Sequence, residues 1–332
     1  MAEDKLAGLR LYDNTRISDF RRCPRYFYFR HERNWTTPGA SAPLIFGSAW
    51  HDAMDYVWPM IHTHKYGAHD IVEKAHAAFM RRWKKDGMPT DIDIELSKEL
   101  SPRLPAVAKE MLISYVHKRT ESILGMELIE TERRFAVPLS LSDPTVFYVG
   151  RIDKVVRPDN RSIRGIEHKT TTASKIGPDK EPRINGKFLE TFSPNSQVDG
   201  YDFTLNMLYP TAENIDIWVD AALVHGRGED FKFIPVDRTM DQLNAWVWET
   251  TYWIQQIEFN RQLALQSNAG DPFMRAFAKD TGRCFDFNTT CPFLPLCKSR
   301  PNPMTWDDAP QPYVVRKWDP LDHIGGTPDE LK

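Results

Sequence analysis

Three of the chain's four cysteines crowd into one short run, Cys284, Cys291 and Cys297 in the spacing C-x6-C-x5-C, and the fourth, Cys23, lies far upstream. No other feature restricts the fold as strongly. The segment Cys291-Pro-Phe-Leu-Pro-Leu-Cys297 is proline-rich, so a regular helix or strand is not expected there. Irregular backbone lets three thiolates converge on one centre, and a fourth completes the donor set of a tetrahedral zinc ion or a cubane iron–sulfur cluster. Either would staple the N-terminal region to the C-terminal one.

Composition narrows the class. The 332 residues suffice for one large domain or two. An apolar fraction of 41% and a charged fraction of 27% are those of an ordinary soluble globular chain. No stretch reaches the roughly 20 apolar residues of a membrane span, so no membrane partner is expected. The opening Met1-Ala-Glu-Asp-Lys5 has no hydrophobic signal region, which predicts a cytoplasmic protein. Disulfides are rare in that compartment, which favours metal binding by the cysteines. A net charge of −3 argues against coating nucleic acid by bulk charge, but leaves room for a local basic patch. Arg16, Arg21, Arg22, Arg25, Arg30 and Arg33 interleave with Phe20, Tyr26, Phe27, Tyr28 and Phe29. That mixture suits phosphate contacts and base stacking, or an amphipathic helix with a charged outer face.

Ser18 reads as the N-cap of a helix over 19–31, with a loop over 34–43 behind it. Helical spacing marks 47–65, 70–85 and 104–124. The pattern then changes to strands over 127–138, 145–157 and 161–170, the last two joined by a turn at Pro158-Asp159-Asn160. A long polar loop over 171–195 and a helix over 196–208 follow. Strands over 215–225 and 231–237 and a Trp-rich helix over 240–266 complete the series. Residues 301–332 are rich in Pro and Asp and read as a loosely packed, irregular tail. With no internal repeat, 1–300 is expected to form a single domain of α/β (α+β) class, a mixed central sheet flanked by helices.

Two neighbouring strands carry a second signal, Gly150-Arg-Ile-Asp153 and Glu167-His-Lys169. Alternate residues of a strand share a face, so Glu167 and Lys169 project together, and a hairpin would bring Asp153 alongside. Two carboxylates can hold a divalent cation and a lysine can help activate a water, although a salt bridge on a hairpin has the same pattern. Upstream, His51 and Asp55 lie one helical turn apart, and downstream so do Gln197 and Tyr201.

The order G-x3-H (Gly47, His51), G-x-I-D (Gly150, Asp153), E-x-K (Glu167, Lys169) and Q-x3-Y (Gln197, Tyr201), framed by one early and three late cysteines, resembles a known family. It is similar to the RecB-like branch of the PD-(D/E)XK nucleases, which includes the AddB nuclease domain, CRISPR-associated RecB-like exonucleases and phage relatives. The resemblance covers roughly residues 15 to 300 and implies a restriction-endonuclease-like core. It implies a 4Fe–4S cluster at Cys23, Cys284, Cys291 and Cys297. It also implies Mg²⁺ or Mn²⁺ held by His51, Asp153, Glu167 and the backbone carbonyl of Ile166. Lys169 would be the catalytic lysine, and Gln197 and Tyr201 would organise the site and contact DNA. Arg21, Arg22 and Arg25, beside Cys23, are the expected contacts to the DNA backbone.

The implied activity is a metal-dependent DNA nuclease, an exonuclease of recombination, repair or phage DNA processing in a prokaryotic or phage-encoded setting. A helicase or a recombination or CRISPR protein is the candidate partner, since the chain has no G-x4-G-K-[ST] phosphate loop of its own. The chain departs from the pattern twice. Its C-x6-C replaces the family's common C-x2-C, which keeps zinc open, and Asp55 stands where Glu is frequent, which gives it a supporting role. The alternatives are a non-catalytic DNA-binding or assembly subunit with an iron–sulfur or zinc staple, and a zinc-stapled protein whose acidic-lysine cluster is a salt bridge.

Overall fold

The computed structural model describes residues 8–39, 41–139, 143–286 and 289–319. They form two compact units, one from 39–133 and 151–243, the other from the described parts of 1–38, 134–150 and 244–332. The second of these starts with β1 (Arg10–Tyr12) and α1 (Asn14–Arg22). Asp13, not Ser18, caps α1, its carboxylate accepting the Arg16 N–H at 2.7 Å. The helix stops at Cys23 because Pro24 disfavours helical dihedrals in the residue before it, and Cys23 is extended at φ −164°, ψ 114°. The chain resumes as α2 (Pro24–Phe27) and a π-helical turn at Tyr28–Glu32, then β2 (Trp35–Thr36). The one helix expected over 19–31 is thus broken, with Cys23 at the break. Phe20, Phe27, Tyr28 and Phe29 are buried, and Phe27 stacks on Phe277 at 6.0 Å. These rings build a core, so they cannot stack on bases.

The other unit opens with α3 (Ala42–Thr63), α4 (Ala68–Lys85), α5 (Ile94–Leu100) and α6 (Pro105–Leu124). Helix α3 starts before the expected Gly47 because Pro43 fits a first helical turn, where its missing N–H costs nothing. Helix α5 is not among those expected from the sequence. Trp50, Trp58, Phe79, Trp83 and Tyr115 are fully buried, packed in one core with Val156, Ile166 and Ala222 of the sheet. That sheet is built from β3 (Glu127–Pro138), β4 (Val146–Asp159) and β5 (Ser162–Thr171), all close to their expected limits.

The stretch after β5 is not an open loop. It forms a hairpin of β6 (Ser174–Ile176) and β7 (Pro182–Ile184) and a helical turn α7 (Gly186–Glu190). Asp230, nearly buried, anchors it by accepting the Ile184 N–H at 2.8 Å. Then come α8 (Ser196–Leu208), β8 (Asn214–Leu223), β9 (Phe231–Val236) and α9 (Met240–Leu265). Strand β5 pairs antiparallel with β4 and parallel with β8, and β8 pairs antiparallel with β9. The sheet is mixed, with helices packed on it, as the sequence predicts. Among the described residues no helix is long and apolar enough to cross a membrane.

In the remaining unit the glycine of the G-x-I-D pattern has a packing reason. A Cβ on Gly150 would lie 2.7 Å from the Phe135 ring, whereas one on Gly47 meets only Thr170 Oγ1 at 3.7 Å. The short helix α10 (Leu294–Ser299) forms within the proline-rich cysteine run, where no helix is expected, because Pro295 falls in its first turn. Residues 301–319 are not loose either. Strand β10 (Val314–Val315) pairs with β2, buried Tyr313 donates its hydroxyl to Pro292 O at 2.6 Å, and buried Asn302 donates to Asn268 O and Asp271 O at 2.9 Å. The rest of the expected tail, 320–332, lies outside the described residues.

Asp202, like Glu132, contributes a pH dependence to the fold. Asp202 of α8 is almost fully buried, and its Oδ2 has no hydrogen-bond partner. Burial, aided by Asp216, Asp199 and Asp237 and opposed by Arg238, raises its pKa to about 7. The folded chain therefore keeps a proton that the unfolded chain releases near the ordinary carboxylate pKa, and stability falls as pH rises from about 4 to 7. Asp202→Asn should flatten that slope in urea titrations and stabilise the protein at pH 8 by about 1–3 kcal/mol. A variant that keeps the wild-type pH slope would rule this out.

Candidate active site

The pairing of Lys154 with Ile166 across β4 and β5 sets Asp153 beside Glu167. Both carboxylates are buried. Helix α3 contributes His51, whose Nδ1 lies 3.1 Å from Asp153 Oδ1, and the His168 N–H donates to Asp153 Oδ2 at 2.8 Å. Glu167 and Lys169 share one face of β5, and Lys169 Nζ is 2.5 Å from Glu167 Oε1. Asn195 fixes the start of α8 by accepting the N–H groups of Gln197 and Val198, so Gln197 faces the strand. Its amide accepts from Lys169 Nζ at 3.0 Å and donates to Glu167 Oε1 at 3.1 Å and to the Tyr201 hydroxyl at 2.9 Å. His51, Asp153, Glu167, Lys169, Gln197 and Tyr201 are thereby gathered in one cluster, and Ile166, next to Glu167 on β5 and opposite Lys154, is buried.

Charge balance within the cluster is internal. Burial opposes ionisation of Asp153, but His51, His168 and Lys154 outweigh it and hold the carboxyl well below the usual range. Glu167 is pushed upward, by burial first and then by the Asp153 charge, with Lys169 and His51 opposing. Burial acts to lower the pKa of His51 and of Lys169, yet the neighbouring carboxylates raise both. The donor set suits a hard divalent cation: two carboxylates, an imidazole, and a buried Glu167 Oε2 with no hydrogen-bond partner. Among the described residues no three His, Cys, Asp or Glu side chains are gathered as a ready-made ion cage. The cluster's own cations neutralise its carboxylates instead.

Sequence reasoning left several buried partners unassigned. Lys154 is completely buried and pairs with Asp55, one turn beyond His51 on α3, which gives Asp55 a definite supporting role. His168 projects to the face opposite Lys169, with Nδ1 3.3 Å from Asp220 Oδ2. Asp220 in turn accepts from the Tyr115 hydroxyl, which accepts Trp58 Nε1–H at 3.1 Å. Alternation along β5 could have placed His168 on the inner face; its partners lie too far away in sequence to be read.

The four cysteines belong to the other unit, where they line one cavity of about 170 Å³ together with Arg22, Tyr26, Lys279, Arg283 and Lys298. Cys23 Sγ accepts the Asp280 N–H at 3.3 Å, and the Cys291 N–H donates to Cys284 O at 2.9 Å. Burial pushes the Cys297 thiol up to about 11 against the pull of Arg25. Arg25 is itself buried, its Nε donating to Phe277 O at 2.9 Å, so it cannot contact a DNA backbone. Arg21 is exposed and Arg22 partly so.

Comparison with known proteins follows this geometry. The profile of the PD-(D/E)XK nuclease superfamily matches residues 14–298. Among solved structures, a protein from Eubacterium rectale named as a candidate exonuclease is similar at 12% identity, over 76% of this chain and 82% of that one, with a TM-score of 0.45. No curated protein matches the chain.

Proposed function

The chain belongs to the PD-(D/E)XK nuclease superfamily, and from that premise we propose that it is a metal-dependent DNA exonuclease of the RecB-like branch, acting in recombination, repair or phage DNA processing. The observation that carries this reading is the convergence of Lys169, His51 and Gln197 on the buried carboxylates of Asp153 and Glu167. Asp153, Glu167, His51 and the Ile166 carbonyl would hold Mg²⁺ or Mn²⁺. Such a cation polarises a scissile phosphate and makes a water a better nucleophile. Lys169 would orient that water and offset charge developing on the phosphate, with Gln197 fixing the ammonium and Tyr201 fixing Gln197. Residues 1–300 would serve as the nuclease domain, with motor activity supplied by a helicase or other recombination or CRISPR partner. The direct test is cleavage of end-labelled single- and double-stranded DNA with Mg²⁺, Mn²⁺ or excess EDTA. Cation-dependent shortening from one end is expected. A folded protein inert toward both substrates would return the assignment to a non-catalytic DNA-binding or assembly subunit.

We also propose that Cys23, Cys284, Cys291 and Cys297 hold a 4Fe–4S cluster. The four thiols line one cavity together with Arg22, Lys279, Arg283 and Lys298 against a single carboxylate, Asp280, a cationic excess that suits an anionic thiolate-bound cluster. Protein purified without oxygen should contain iron and sulfide and absorb near 400 nm, and Cys297→Ser should remove most of that absorbance. Colourless protein with one zinc per chain would establish a zinc staple instead.

A further inference from the structure

We infer that the outward face of α9 is a stacking platform for single-stranded DNA, with an arginine groove beside it for the backbone; this rests on the nuclease reading above. Trp248 is 69% exposed and Tyr252 41%, and the two rings stack on each other at 5.9 Å and 14°. Tyr252 also meets Trp253 at 5.1 Å, and the Arg21 guanidinium lies 5.5 Å from the centre of the Trp253 ring. Arg21, Arg22, Arg283 and Trp253 then line a groove of about 570 Å³. One acidic group enters it, Asp286, at 3.6 Å from Arg22 and 3.7 Å from Arg283. Three cations against one anion leave the groove net positive in a chain whose overall charge is −3.

Exposed tryptophan is costly to leave in water, and a stacked pair of large rings on one helix face next to cations fits a definite ligand. Phosphates answer the arginines. The rings need flat apolar partners, and bases offer their faces only where they are not already stacked in a duplex. The chemistry therefore selects an unpaired strand over a double helix. Four of the five rings that the sequence suggested for stacking lie in the core, and Tyr26 lines the cysteine cavity, so the rings of α9 take their place.

The test measures binding of a fluorescent oligo-dT and of a duplex of equal length to the full chain in EDTA, with cleavage assayed separately in Mg²⁺ or Mn²⁺. The Trp248→Ala/Tyr252→Ala double variant should bind oligo-dT at least about tenfold more weakly, with duplex affinity little changed. Trp248→Phe/Tyr252→Phe should retain most of the affinity, because it keeps the rings. Arg21→Gln should lower the slope of log affinity against log salt by about one. Unchanged oligo-dT affinity in the alanine variant, alongside normal cleavage by the wild type, overturns the platform and spares the nuclease reading. A folded wild type that neither binds nor cleaves DNA overturns both. If the alanine variant loses self-association but not DNA affinity, the face joins two copies of the chain and the inference is wrong.

Discussion

Replacing Lys169 by alanine is expected to slow DNA cleavage by about 10²–10⁴-fold, the range for removing one positioned acid–base or electrostatic group. The ammonium touches both Glu167 and Gln197, so its loss removes the only cation on that side of the cluster that the described side chains supply to Glu167 directly. Lys169 keeps about a third of its side chain exposed, and the variant should still fold. Its unfolding midpoint separates a chemical defect from a structural one. Gln197→Ala should lose less, because the amide positions Lys169 and Glu167 without replacing either charge. Cleavage by the Lys169 variant within threefold of wild type, at saturating cation, would place the chemistry elsewhere in the chain.

Asp55→Ala should destabilise the fold by about 3 kcal/mol, because it removes the carboxylate that pairs directly with the buried Lys154 ammonium. The lysine then keeps the hydrogen bond to the Asp153 carbonyl at 3.0 Å and the more distant attraction of the Asp153 charge. Because Asp55 is partly open to solvent, the loss belongs at the low end of the range for broken buried pairs. The companion variant Lys154→Met fills the same space with an uncharged chain and should recover much of that loss in the double variant. Chemical denaturation of the two single variants and the double variant closes the cycle. Additive losses would mean that the pair is not coupled, and would remove Asp55 from the support of the site.

The strands and the order of elements were legible because alternation and turn residues act locally. Helix α8 and strand β3 fall where the pattern places them, whereas β4 runs on through Pro158 and Asp159, the turn falls at residues 160–161, and an irregularity between Val156 and Asp159 completes the register that sets Asp153 beside Glu167. The N-terminal helix was misread because Ser18 is a good cap in isolation, while Asp13 wins by reaching the Arg16 N–H and Pro24 cuts the helix short. Arg25 was misread for a related reason. Burial depends on Phe277, a residue remote in sequence, and no local pattern marks one arginine of a basic run as the inward one. The support chain from His168 through Asp220 to Tyr115 and Trp58 was invisible for the same cause, since each link joins a different element. Short local signals disclosed the groups that gather in the cluster. The groups that hold them still are scattered along the chain.

The two units differ in how the chain supplies them. One is complete once residue 243 has been made, whereas the other draws on 1–38, 134–150 and 244–332. During synthesis the first can condense on the ribosome while Cys23 waits, reduced and unpartnered, for three thiols that emerge last. Were those cysteines to take up a metal centre, it would arrive late in the life of the molecule, after residues 151–243, which carry Asp153 and Glu167, have been made. Chains truncated before Cys284 would retain the residues of the acidic cluster and lack three of the four thiols, so the loss of the cysteine cavity can be separated from the loss of the cluster.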